Sequence, residues 1–335
     1  MTATAYFASK EERSFGFKDI LYEKKDWVAR VTINRPESYN CYTTDTLREL
    51  IVAIDDASSD DAVGVIVLTG AGEKAFCTGG DVTEYQSEYL KRPRDYWKYM
   101  GLFQECHDQL RNLGKPVIAR INGIVAGGGN EFNMACDLAV MADHATIRQV
   151  GTQVGSVAAG GATQWLPIMV GDRRARELLF TCDPIDAATA LDWGLVNRVV
   201  PYAELDAAVD ALAQKLIDKF PECTRYTKEA VNYWKDQAWA ASIGHARDWL
   251  SLHFATLEPW EGMTAFVEKR KPDYRGIRRK AAEGGSSEFV WGPYIGTCAA
   301  CGAKGIPADF AFCGKCGAPL AKAPVGAAAG ASDGR

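Results

Sequence analysis

Two stretches, Phe76-Cys77-Thr78-Gly79-Gly80-Asp81 and Gly127-Gly128-Gly129-Asn130-Glu131, decide how this sequence folds. Each follows an apolar, β-branched run: Val63-Gly64-Val65-Ile66-Val67-Leu68 before the first, Pro116-Val117-Ile118-Ala119-Arg120-Ile121 before the second. Each also leads into a helix-like stretch. A strand that ends in glycines and turns into a helix leaves peptide N–H groups unpaired at the helix start. With no side chain there, an acyl oxygen can approach them closely. Two such turns aimed at one point make an oxyanion hole.

Working outward, Asp19 to Ile33 alternates like a hairpin and enters the turn Asn34-Arg35-Pro36-Glu37. Thr43 to Ser58 has helical spacing, with Leu47, Leu50, Ile51 and Ile54 on one face and Thr44 as the expected cap. Strand, glycine turn and helix then repeat, which predicts an α/β core of largely parallel, buried strands. From Leu205 the pattern is helical throughout, with helices expected over 205–220, 222–236 and 239–270. The expected organisation is a leader (1–16), an α/β core (17–204), a helical domain (205–280), a linker around Glu283-Gly284-Gly285-Ser286-Ser287 (281–295), a small cysteine module (296–320) and an Ala/Gly-rich disordered tail (321–335).

With 335 residues and 47% hydrophobic content the chain can bury a large core, and its formal charge of −5 gives no general attraction to nucleic acid or anionic membrane. It has neither an apolar run long enough to span a bilayer nor the apolar centre of a signal peptide, so a cytoplasmic location is expected. Of ten cysteines, Cys41, Cys77, Cys106, Cys136, Cys182 and Cys223 are scattered singly and read as reduced packing residues. Cys77 lies within the first glycine motif and Cys136 in the stretch Ala135-Cys136-Asp137-Leu138, but nothing local would lower a thiol pKa at either. The other four stand as Cys298-Ala299-Ala300-Cys301 and Cys313-Gly314-Lys315-Cys316, eleven residues apart. Two such knuckles can surround one Zn²⁺ tetrahedrally, and a module this small would draw its folding energy from the metal. A closed set of four thiolates leaves no open position, so the zinc reads as structural.

The paired glycine turns resemble those of the crotonase (enoyl-CoA hydratase/isomerase) superfamily. The similarity runs from about Phe17 to Tyr274 and includes Ile33-Asn34-Arg35-Pro36 with Asn40, Ala135-Cys136-Asp137-Leu138, and Ala187 to Val200. It implies a spiral of ββα repeats with a C-terminal helical trimerisation domain that closes partly over a neighbour's site, and therefore a homotrimer or a dimer of trimers. It also implies that the Gly80 and Gly128 peptides hold a thioester oxygen, and that Arg35, Asn40, Phe266 and Lys269 contact coenzyme A. For the basic stretch at Lys269 the alternative is a solvated helix end favoured by the helix dipole.

The hydratase branch uses two glutamates. Glu131 occupies the first position, but Gly151 stands at the second, which puts water addition by paired carboxylates in doubt. The segment Gly155 to Thr163 has Ala158 and Gly161 where the naphthoyl-CoA synthase and ketocyclohexane-carboxyl-CoA hydrolase branches offer Asp and Tyr. It looks instead like that of the 6-oxocyclohex-1-ene-1-carbonyl-CoA hydrolases, though their long insertion near Val200 to Leu205 is missing. That implies hydrolytic opening of an alicyclic keto-thioester with Glu131 as base; the alternative for Glu131 is a first-turn residue complementing a helix dipole. Asp81 is expected as a helix cap or a site residue, and Tyr85 as a hydrogen-bond donor to a substrate ketone or a packing aromatic. His107, His144 and His253 are isolated, and His253 is kept as a candidate. The competing readings are enoyl-CoA hydration or isomerisation, a Dieckmann cyclase, and an inactive scaffold whose zinc ribbon recruits a protein partner.

Overall fold

The computed structural model describes residues 10–11, 14–285, 288–292 and 294–320. Most of the leader, Ser286 and Ser287 of the expected linker, and the tail from 321 lie outside the described residues. In chain order the elements are β1 (Ile20–Lys25), β2 (Val28–Ile33), α1 (Thr44–Ser59), β3 (Val65–Gly70), β4 (Ala75–Cys77), α2 (Val82–Glu84), which runs into a π-helical turn (Tyr85–Tyr89), α3 (Pro93–Asn112), β5 (Val117–Ile121), β6 (Ile124–Ala126), α4 (Gly128–Ala135), β7 (Leu138–Ala142), β8 (Thr146–Arg148), α5 (Ala162–Val170), α6 (Asp172–Thr181), β9 (Ile185–Asp186), α7 (Ala187–Asp192), β10 (Arg198–Val200), α8 (Leu205–Ile217), α9 (Pro221–His253), α10 (Leu257–Val267), α11 (Tyr274–Ala282), β11 (Gly296–Thr297) and β12 (Lys304–Ile306).

The strands form two main sheets. One has the order β1-β2-β3-β5-β7-β10, the other β4-β6-β8-β9. Successive pairs β3/β4, β5/β6 and β7/β8 each give one strand to each sheet before the chain turns helical, which is the ββα spiral that the resemblance implied. In the larger sheet only the β1–β2 pair is antiparallel. β3 and β5 are buried along their whole length, and so read as continuous β-branched runs rather than as alternations. The shorter strands β4 and β6 pair in parallel and carry the two glycine turns at their ends.

α1 is capped by Thr43 rather than the expected Thr44. Thr43 Oγ1 accepts from the Thr46 N–H, the Thr43 N–H donates back to Thr46 Oγ1, and Asp19 anchors both hydroxyls. The helices expected over 222–236 and from 239 onward are one 33-residue helix, α9, which stops at Phe254. Trp239, buried at the expected break, donates to Asp108 and ties α9 to α3 at 2.7 Å. No helix among the described residues is long and apolar enough to cross a membrane. Cys298, Ile306 and Cys313 form a second small core apart from the main one.

Candidate active site

The first glycine turn is held by the chain that precedes α1. The Tyr42 N–H donates to Gly79 O and the Asp81 N–H to Tyr42 O, both at 2.9 Å, so that Gly80 is bracketed between them. The second turn is tied to β8 by the Gly127 N–H, which donates to Arg148 O at 3.1 Å. Gly79 and Gly127 both take positive φ, +91° and +51°. The two turns touch: a Cβ on Gly79 would lie 3.1 Å from the Gly128 nitrogen.

Close approach explains the next glycine of each turn. A Cβ on Gly80 would collide with the Tyr85 hydroxyl, and one on Gly128 with the Tyr42 hydroxyl. Tyr42 thus joins the turns, its backbone pairing with the first and its phenol resting on the second. The Tyr85 hydroxyl shares a 2.5 Å hydrogen bond with that of Tyr99. Burial pushes the phenol pKa of both Tyr42 and Tyr85 up, so both remain neutral hydrogen-bonding groups.

Both turns line a cavity of about 110 Å³. Glu131 also lines it, with Tyr85, Tyr96, Tyr99 and Phe103 forming an aromatic wall. Leu250 of α9 and Met263 of α10 line it too. The C-terminal helices thus contribute to the cavity of their own chain.

Glu131 sits in the first turn of α4, where the helix dipole favours a carboxylate by about 0.3–2 kcal/mol. It is 5% exposed, and its Oε1 accepts from the Ala162 N–H at 3.2 Å. Burial outweighs both the dipole and the N–H groups of Ala162 and Gly160, and raises the carboxyl from 4.5 to about 7. A carboxyl poised there can take and return a proton near neutrality.

The position twenty residues on, Gly151, is crowded by backbone. The chain from Ser156 to Ala158 folds back over Gly151, where a Cβ would stand 2.9 Å from the Ala158 nitrogen and 3.2 Å from Ser156 O.

Asp81 caps α2, accepting from the Thr83 and Glu84 N–H groups at 3.0 and 3.4 Å, and it pairs with Arg35 at 3.3 Å. Burial opposes its ionisation, but those donors prevail and hold its pKa below 3.8. Arg35 and Asn40, expected at coenzyme A, brace the first turn instead. Asn40 is fully buried, its Nδ2 donating to Ala71 O and Ala75 O and its Oδ1 accepting from the Arg35 N–H, which removes it as a coenzyme A contact. The Arg35 guanidinium is engaged by Asp81, Asp19 and Cys41 O. Phe266 and Lys269 are exposed at the end of α10, outside the cavity lining, while their neighbour Arg270 pairs with Glu261 and Glu268.

His253 stacks on Trp249 and bonds Gly155 O at 3.1 Å, facing an adjacent cavity of about 890 Å³. His107 is buried against Phe103 O. Burial pushes the Cys77 and Cys136 thiols up to about 12, which fits packing and not nucleophilic attack. Sequence reasoning missed Tyr42 and Gln149, both on the cavity wall.

The four C-terminal cysteines meet in space, all sulfurs lying within 4.8 Å of one another. The Cys298–Cys316 and Cys301–Cys313 Sγ separations are both 3.7 Å. Tetrahedral coordination with Zn–S bonds of about 2.3 Å requires sulfurs about 3.8 Å apart, so the residues fit Zn²⁺. Each knuckle closes in the same way: Cys298 and Cys313 donate to Ala303 O and Ala318 O, and accept from the N–H groups of Gly302 and Gly317.

The fold is shared with known proteins. The family model described as enoyl-CoA hydratase/isomerase matches residues 23–278. Among solved structures, an enoyl-CoA hydratase from Mycobacterium avium subsp. paratuberculosis K-10 is similar at 27% identity over 77% of this chain and 98% of that one, with a TM-score of 0.70. An enoyl-CoA hydratase from Bacillus anthracis shares 31% identity over 77% of this chain and 100% of that one, with a TM-score of 0.61. The cysteine module lies beyond the matched segment. From residue 23 to 278, this chain belongs to the enoyl-CoA hydratase/isomerase family of acyl-CoA enzymes.

Proposed function

We propose that the chain hydrolyses a carbon–carbon bond in an alicyclic keto-thioester of coenzyme A, opening the ring. One observation carries the reading: a single buried carboxylate, poised near neutrality, shares a cavity with two glycine turns, while position 151 carries a glycine crowded by backbone. Glu131 takes a proton from water as its oxygen adds to the ring ketone. The bond between that carbon and the thioester α-carbon then breaks, and its electron pair becomes a thioester enolate. The Gly80 and Gly128 N–H groups hold the enolate oxygen, a contact worth roughly 2.7–4 kcal/mol per donor. Glu131 returns the proton to the α-carbon, and the former ketone leaves as a carboxylic acid. Tyr85, bonded to Tyr99, rests its hydroxyl against Gly80 and shapes the first turn, and Asp81 supports that turn as cap and Arg35 partner. Phe266 and Lys269 lie on the surface that takes the coenzyme.

The same lone carboxylate also suits isomerisation of an enoyl thioester, in which one group removes and returns a proton. Mass spectrometry of the products from 2-oxocyclohexanecarbonyl-CoA and its ring-unsaturated 6-oxo analogue tests the choice. An acyclic product heavier by one water supports hydrolysis, and two waters on the enone add hydration. Unchanged mass in a rearranged product overturns it.

Cys298, Cys301, Cys313 and Cys316 hold one structural Zn²⁺, which supplies cross-linking and no chemistry. The ribbon is the expected contact for a protein partner. Self-association into trimers or dimers of trimers is supported by the apolar residues that α9 exposes, including Tyr226, Val231 and Trp234.

A further inference from the structure

Gln149 follows β8 and lines the same cavity as Glu131 and the two glycine turns. It is fully buried, yet neither its Oε1 nor its Nε2 has a hydrogen-bond partner among the described residues. A buried primary amide that satisfies neither its acceptor nor its donors is a costly arrangement, and such groups ordinarily find a partner. Two neighbouring polar groups on this wall, by contrast, each have a partner: Tyr85 in Tyr99, and Glu131 in the Ala162 N–H. The backbone at Gln149 is also fixed, because Arg148 O accepts from the Gly127 N–H of the second turn and Val150 packs at Gly127.

We propose that Gln149 is a specificity-determining residue that binds a second oxygen on the acyl group, the ring ketone or the hydroxyl formed from it. The inference rests on the proposed ring-opening reading and narrows it to acyl chains oxygenated beyond the thioester. An amide suits both stages, because its N–H₂ donates to a ketone while its carbonyl accepts from the water or hydroxyl that replaces it. An apolar acyl group leaves both ends unsatisfied. The wall thus discriminates against substrates that lack the oxygen, as sites built around a substrate hydrogen bond do.

The test compares cyclohexanecarbonyl-CoA with 2-oxocyclohexanecarbonyl-CoA by calorimetry on the full chain carrying Glu131→Gln, which slows turnover about 10²–10⁴-fold, with the ligand checked for intactness after each titration. The oxo ligand is expected to bind about 10–100-fold more tightly, the worth of one or two hydrogen bonds. Adding Gln149→Met, a change close to volume-conserving, should abolish that preference while affinity for the plain ligand stays within about threefold. Equal binding of the two ligands to the parent overturns the proposal without any Gln149 variant. A preference that survives Gln149→Met also overturns it, as does a Gln149→Met chain that only gains thermal stability. If neither thioester binds, the acyl-CoA site itself is wrong, which is a failure of the underlying reading and distinguishable from these.

Discussion

Replacing Glu131 with Gln should trade activity for stability, with a pH signature that can be worked out beforehand. The carboxyl titrates near 4.5 when unfolded and near 7 when folded. Between those values the folded chain keeps a proton that the unfolded chain has lost, so the fold loses stability as pH rises through that interval and the loss is complete above about 7. The full shift corresponds to roughly 3 kcal/mol, of which about 2–3 kcal/mol falls between about pH 5 and about pH 8.5. Gln is isosteric and uncharged. Its stability relative to the parent should therefore be near parity at the acid end and higher by about 2–3 kcal/mol at the alkaline end, measured by urea unfolding of matched samples. Turnover should fall about 10²–10⁴-fold at every pH, and parent turnover should rise with pH through about 7 as the base ionises. A stability difference that does not change with pH would refute the buried-carboxylate argument. Full activity in the folded variant would return Glu131 to a purely structural place in α4.

Three further outcomes are expected. Tyr42→Phe and Tyr85→Phe remove the hydroxyls resting on Gly128 and Gly80, and each should lower kcat/KM on a keto-thioester about 10–100-fold with little change in unfolding midpoint; parent-like kinetics would make both phenols packing groups. Gly128→Ala drives a methyl into the Tyr42 hydroxyl, and should cost roughly 1–3 kcal/mol of stability with near-complete loss of turnover; an active, undestabilised variant would contradict the close approach. Metal analysis should find one zinc per chain, lost in Cys313→Ser, while truncation near Gly285 leaves a folded, CoA-binding core; zinc-free full-length protein would refute the ribbon.

The long strands that precede the turns, β3 and β5, were legible because they are buried along both faces and have no reason to alternate; β4 and β6, which carry the turns, are three residues each and too short to show a pattern. Glu131 was legible because its place is set by local spacing from Gly128. Tyr42 was not: its role depends on Gly80 and Gly128, 38 and 86 residues away in the sequence, arriving at one point. Gln149 was hidden for the same reason, since only the assembled wall shows its amide to be without partners. Thr43 and Thr44 have equal capping chemistry, and a tertiary anchor, Asp19, chose between them. No Pro or Gly separates Asp236 from Trp239, so nothing local ends α9 there. The helix stops where Phe254 is buried and its carbonyl accepts from the Lys91 N–H. Asn40 is a different kind of error: a motif residue taken for a ligand contact proved to be what holds the motif's shape.

The crowding at Gly151 bears on how this chain relates to two-glutamate hydratases. Writing a glutamate at that position does not by itself supply the missing carboxylate, because its Cβ would stand 2.9 Å from the Ala158 nitrogen and 3.2 Å from Ser156 O, and backbone would have to shift to admit it. The Ser156 N–H donates to Gly151 O at 2.8 Å, so moving that backbone breaks the loop's own closure. An engineer, or a lineage drifting toward hydration, would have to ease the backbone from residue 156 to 158 away from position 151 as the new side chain was introduced. Single substitutions there meet a valley, and the barrier lies in the course of the main chain.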